Sequence, residues 1–194
     1  MKHKKYYGFT IVELLIVIVV IGVLAAITVV AYNDIQQRAK NTAIVSAANQ
    51  SLKLINAYIA ETGKYPPATS TGVRLCITAS SGCMDGGGLV SSSYAAFNTA
   101  LATLGSLPQS TPTEGASAYG IAYDYQGTRT YNGDVQPVVL QYFLVGHNRQ
   151  CGAPNVSVAN WSVGAPSSTG YSRNLTASGV NKTECIISIP GPSA

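Results

Sequence analysis

The chain has 194 residues, of which only 10% are charged, and its formal net charge is +4. That length holds one long helix and one globular domain of ordinary size, and the abundance of Gly, Ser, Thr, Ala and Asn suits a small β-containing domain outside the cytoplasm. Three of the twelve basic residues are Lys2, Lys4 and Lys5, so residues 9–194 carry nine basic and eight acidic side chains; no basic stripe marks a dedicated nucleic-acid site.

The first element is apolar. Leu14 to Ala31 carries no charge, and as a helix rising about 1.5 Å per residue it would span roughly 27 Å, close to a bilayer's hydrocarbon core. The lysines ahead of it place the amino terminus on the cytoplasmic side. One acid, Glu13, stands near the start of the run, and an ionisable group in a membrane segment is costly enough to be a functional candidate by default. A secretory signal peptide fits poorly. Its apolar core is usually about 7–15 residues, and Val23-Leu24-Ala25 and Leu24-Ala25-Ala26 are poor small-residue cleavage sites. A plain single-pass anchor is the other reading.

A short basic leader ending at Gly8, then Phe9-Thr10-Ile11-Val12-Glu13 and a long apolar run, resembles the class III signal of type IV pilins and pseudopilins. Gly22, Ala31 and Tyr32 also fall where that family often carries those residue types, whereas Val30 stands where many of its members have proline. Beyond residue 32 the chain resembles pilin heads only loosely. The resemblance implies that prepilin peptidase cuts between Gly8 and Phe9, that the new amine of Phe9 is methylated, and that Glu13 guides assembly. It further implies four segments: a cleaved leader over 1–8, a transmembrane and assembly helix over 9–32, the head-packing half of the same helix over 33–63, and a globular head over 64–194. The implied partners are the peptidase, other copies of the chain and related pilins, an inner-membrane assembly platform and membrane lipid. The chemistry of Glu13 fits this picture. Cleavage leaves a charged amine on Phe9, and a carboxylate at the same depth on a neighbouring helix would neutralise it; an unpaired partner is so costly that the pair acts mainly on register.

Helical periodicity continues past Tyr32. Val45, Ala48, Leu52, Ile55 and Ile59 form one stripe, with Ile44, Ala47, Leu54 and Tyr58 beside it. Together they make a face wide enough to cover a sheet. Glu61-Thr62-Gly63, followed by Tyr65-Pro66-Pro67, is a stop with Gly63 as its left-handed cap. Residues 64–115 read mostly as loop, with one short helix over Tyr94 to Leu104; Gly86-Gly87-Gly88 lacks the Gly-Lys-Ser/Thr of a phosphate loop. Strands begin near Tyr119: Ile121, Tyr123 and Tyr125 alternate with small or polar residues, and Gln126-Gly127 and Asn132-Gly133 look like turns. Val138 to Val145 is apolar on both faces and therefore central. Cys185 to Ile189 is a candidate last strand. The fold class is α+β, a long amino-terminal helix packed against an antiparallel sheet in a pilin-like head.

Four cysteines, Cys76, Cys83, Cys151 and Cys185, follow the apolar run, and an even count in an oxidising compartment reads as disulfides with three possible connectivities. The favoured one is Cys76–Cys83, closing a small loop, with Cys151–Cys185, tying down the carboxy-terminal region. A zinc site using His147 and Cys151 is the rival, and no Cys-x-x-Cys supports it. No cofactor, metal or enzymatic motif is legible: His3 and His147 are isolated, and Asp124 and Asp134 flank a hairpin rather than forming a dyad. Twelve tyrosines against one tryptophan, Trp161, suggest contact surfaces, while the weightier reading makes most of them core or strand positions. Asn-x-Ser/Thr triplets at Asn155, Asn160, Asn174 and Asn181 read as chance in a segment rich in those residues.

The leading expectation is therefore a structural, non-enzymatic pilin, made as a single-pass precursor of the cytoplasmic membrane with its amino terminus inside. It is then assembled into an extracellular filament for adhesion, motility or DNA uptake. One alternative is a pseudopilin of a type II secretion or competence system; a second is a monomeric membrane-anchored binding module. Major pseudopilins of secretion systems often carry a calcium site near the carboxy end, and here the last thirty residues hold a single acid, Glu184.

Overall fold

The structure is a computed structural model and describes residues 8–67, 73–77, 83–85, 88–90, 95–108, 118–125, 130–131, 134–135, 138–152, 157–158 and 170–189. It divides into two compact units, Met1–Ala39 and Lys40–Ala194. Helix α1, Ile11–Thr62, contributes to both.

In the first unit α1 is rich in Ile and Val, which are stiff at χ1 and weak helix formers in water. Lipid reverses that preference, because only a helix satisfies its backbone hydrogen bonds within one segment there. The helix is long and apolar enough to cross a membrane. Its described large apolar side chains, from Phe9 to Ile35, are all at least half exposed.

In the second unit α1 becomes amphipathic and buries Ile44, Ala47, Ala48, Ser51, Leu54 and Ile55. Ser51 disposes of its hydroxyl by donating to Ala47 O at 2.9 Å. The helix ends at Gly63, whose φ of 64° and N–H bond to Ile59 O at 2.8 Å form a left-handed cap. The sheet packed on this face contains β1 (Val73–Cys76), β4 (Ile121–Tyr125), β7 (Val138–Val145), β8 (Ser157–Val158), β9 (Gly170–Ala177) and β10 (Val180–Ile189). Its order is β1-β4-β7-β10-β9-β8. The first five of these strands are antiparallel neighbours, and two-residue β8 pairs parallel to β9. Two further pairs are β2 (Cys83–Asp85) with β3 (Gly88–Val90), and β5 (Thr130–Tyr131) with β6 (Asp134–Val135). One core joins the α1 face to Ile121, Tyr123, Leu140, Tyr142, Leu144 and Ile187, and to Phe97 and Leu101 of the short helix α2 (Ala95–Ala102).

All eight residues of β7 are buried, and it lies between β4 and β10 as its apolar pattern requires. Other expectations need correction. The sheet starts at Val73, not near Tyr119, because β1 takes its ladder from β4, with Arg74 opposite Asp124. Four residues carrying an arginine give no local signal of that pairing. The last strand begins at Val180, five residues before Cys185, and a further strand, β9, precedes it where the sequence shows no apolar alternation. Both strands are held by a hairpin turn at Ser178-Gly179, whose φ values of 50° and 75° suit a two-residue primed turn. The expected turns at Gln126-Gly127 and Asn132-Gly133 lie outside the described residues, as do Gly86-Gly87, Tyr94 and Trp161.

Candidate functional site

The amino-terminal segment is built around Thr10 and Glu13. Thr10 immediately precedes α1, where the first N–H groups of a helix have no intrahelical partner. Its Oγ1 accepts the Glu13 N–H at 3.2 Å. In return Glu13 Oε2 accepts the Thr10 N–H at 2.9 Å and the Thr10 hydroxyl at 2.7 Å. Thr-x-x-Glu is thus a reciprocal capping box. Sequence reasoning treated Glu13 only as a charge in a membrane segment and missed this local role, although the spacing that signals it stands in the sequence. Gly8, Phe9 and Thr10 are exposed, and apart from its chain neighbours no described residue comes within 4 Å of a Cβ placed on Gly8. The same is true of Gly22, so packing within one chain gives no reason for glycine there.

In the head, Cys76 is disulfide-bonded to Cys83 and Cys151 to Cys185, with Cα separations of 5.5 and 5.7 Å. Gly120, at φ +82°, passes so close to Cys83 that a Cβ would meet the Cys83 Cβ at 2.7 Å. His147 and Cys151 are not brought together as ligands: Cys151 is consumed by its disulfide, and the exposed His147 ring lies 3.1 Å from Leu175 O. Among the described residues no three His, Cys, Asp or Glu side chains converge on a metal position. Asp124 is buried in an ion pair with Arg74 at 3.2 Å, and Asp134 opens β6. Glu184 is buried and engaged by Arg173 and Gln141. An open groove beside α1, lined by Thr42, Ser46, Asn49, Gln50, Lys53 and Ser106, carries one cation and no carboxylate or imidazole. It offers no acid–base pair.

Several of the described tyrosines serve packing. Tyr123 and Tyr142 are fully buried, and desolvation raises both hydroxyls. Burial, with Tyr125 beside it, pushes the half-buried Tyr65 up to about 12; its hydroxyl donates to Ile189 O at 3.2 Å. Asn174 and Asn181 are exposed, and both side-chain amides are used: Asn174 Oδ1 accepts the Asn148 N–H at 2.8 Å, and Asn181 Oδ1 accepts the Thr176 hydroxyl at 3.0 Å. Asn155 and Asn160 lie outside the described residues.

Residues 3–29 match the family described as the prokaryotic N-terminal methylation motif. The amino-terminal segment is similar to that of type IV pilins. The chain is 39% identical over 67 residues to a type IV major pilin protein PilE1 of Neisseria gonorrhoeae, an alignment covering 34% of this chain and 41% of that pilin. It is 37% identical over 67 residues to a fimbrial protein of Neisseria meningitidis serogroup A, covering 34% of this chain and 39% of the relative. The match therefore spans about two fifths of these pilins' length. No solved structure matches the chain.

Proposed function

We propose that this chain is a structural subunit of a type IV pilus. Prepilin peptidase removes residues 1–8, Phe9 becomes the methylated amino terminus, and residues 9–32 hold the subunit in the cytoplasmic membrane. Residues 33–63 then pack on the sheet of a head that extends to 194. An inner-membrane platform assembles the subunits into a helical surface filament serving adhesion, motility or DNA uptake. The observation that carries this reading is the unbroken exposure of the large apolar side chains described between Phe9 and Ile35. Such a surface is stable only against lipid or against other helices of the same kind. Glu13, four residues from Phe9, is the acid nearest to it in the chain and the one offered to a neighbour's Phe9 amine.

The pilus reading is preferred to the pseudopilus because Glu184 is already committed to Arg173 and Gln141 and leaves no acid in the last thirty residues for calcium. Electron microscopy of cells with and without the gene, joined to intact-mass measurement of sheared material, tests the proposal. Filaments that disappear with the gene and contain a chain starting at methylated Phe9 are expected. A mature chain beginning elsewhere, or an unchanged filament population, overturns it.

A further inference from the structure

The last residue of β7 has a partner that is not a strand. Pairing of β7 with β4 ends at Tyr142, opposite Ile121, so among the described residues no strand residue pairs with Val145 on that side. Asn41, on α1, takes the place of one. Its Nδ2 donates to Val145 O at 3.0 Å, and its Oδ1 accepts the Val145 N–H at 2.8 Å. A single side-chain amide thus makes both bonds that a residue of an adjacent strand would make. Val145 is buried, and without Asn41 its N–H would have to go unmet or find water.

One helical turn further along the same face of α1, Val45 meets the loop that follows β7. Gly152, at φ +68°, comes so close that a Cβ there would lie 2.4 Å from Val45 Cγ1. That loop is fixed from several sides. Thr183 Oγ1 accepts the Arg149 N–H at 3.0 Å and donates to Gly146 O at 2.7 Å. Asn174 holds Asn148, the Tyr142 hydroxyl donates to Cys151 O, and the disulfide joins Cys151 to Cys185 of β10.

We infer that Asn41 is a latch that fixes the first head-packed turn of α1 to the sheet, and that residues 146–152, anchored by the Cys151–Cys185 disulfide, are its keeper. The core itself begins only at Ile44, so the polar latch sits ahead of the apolar contacts. The opposite end of this half-helix is closed by the Gly63 cap and by Tyr65. Separation of α1 from the sheet therefore starts at Asn41. The side chain sets how far such separation runs.

Nuclear magnetic resonance on the full chain in detergent micelles tests this without reference to filaments. In Asn41→Leu, of similar size but lacking both bonds, the Val145 amide should exchange about tenfold faster or more. The Overhauser contact between the Val45 methyls and the Gly152 α-protons should weaken, while amides of Ile186 and Ile187 stay as protected as in the parent. Asn41→Asp, the milder variant, keeps an acceptor for the Val145 N–H and should fall between the two. Joint replacement of Cys151 and Cys185 by serine should speed Val145 exchange with Asn41 intact. An unchanged Val145 rate in Asn41→Leu, or equal acceleration of every head amide, overturns the latch. An unchanged rate in the serine variant overturns the keeper.

Discussion

In the isolated chain the Glu13 carboxylate is already occupied, because it closes the start of its own helix through Thr10. Assembly onto a neighbour's Phe9 amine would ask the same group for a second partner, and two substitutions separate the roles. Glu13→Ala loses both cap and charge, yet should insert and be cleaved, since removing a charge eases entry into lipid. Glu13→Gln keeps an acceptor for the capping box and loses only the charge. If charge directs assembly, both variants should accumulate in the membrane fraction and yield few sheared filaments. Normal filaments from Glu13→Gln would assign the residue to capping alone. Gly8 is where a bulky replacement should leave an uncut precursor, read directly as intact mass. At the other end of the chain, Arg173→Met would strand Glu184, which is 2% exposed. Stranding a buried charge costs up to about 5 kcal/mol; because Arg173 is itself more than a third exposed, about 1–3 kcal/mol by urea titration is expected here. This ion pair was hidden in the sequence: Arg173 and Glu184 are brought together by the register of β9 on β10, eleven residues apart. The Thr10–Glu13 box was legible, but the charge of Glu13 drew the reading elsewhere.

Elements whose signals are local were readable. The head half of α1 declares itself by its 3.6-residue stripe and ends at a glycine that bonds back to Ile59; β7 declares itself by eight residues that can be buried on either face. Strands β1 and β9 have no such signature, because a four-residue edge and a stretch of Ser, Arg, Asn and Thr become strands only through distant partners. The turn between β9 and β10 is nonetheless specified by one residue. Gly179 has φ +75° and nothing within 4 Å of a Cβ position, so Gly179→Ala meets backbone strain and no clash. It should destabilise the head by about 1–2 kcal/mol. A neutral result would mean the turn readily adopts another conformation. Within the apolar half of α1 the balance is different. Val30 keeps its backbone N–H where a proline would remove it, while Gly22 weakens the helix by about 1 kcal/mol relative to Ala. The helix runs through this stretch without a break. In filaments, any loss of amide protection should be confined to Gly22–Val30, and protection lost beyond Val30 would contradict this.

At the scale of the whole molecule the head is closed by covalent and polar ties that respond to different conditions. The Cys151–Cys185 bridge spans 34 residues and, by the chain-entropy account, contributes about 3–4 kcal/mol; its removal should lower the urea midpoint at every pH. The tyrosines act in a pH window instead. Tyr65 ionises near 12 in the folded head, against about 10 in an unfolded chain. Between those values the folded state holds a proton that the unfolded state has released. Stability therefore falls as pH rises through that interval and is unaffected by this group below it. Burial raises Tyr123 and Tyr142 in the same direction, which steepens the loss. Urea midpoints of the full chain in detergent should be level from about pH 7 to 9 and decline from about pH 10 upward. Tyr65→Phe separates its own share: the variant loses the bond to Ile189 O and starts from a lower midpoint, yet its decline above pH 10 should be shallower than the parent's. Parallel curves for the two proteins would show that Tyr65 ionises alike in the folded and unfolded chain, and that the alkaline limit is set elsewhere in the core.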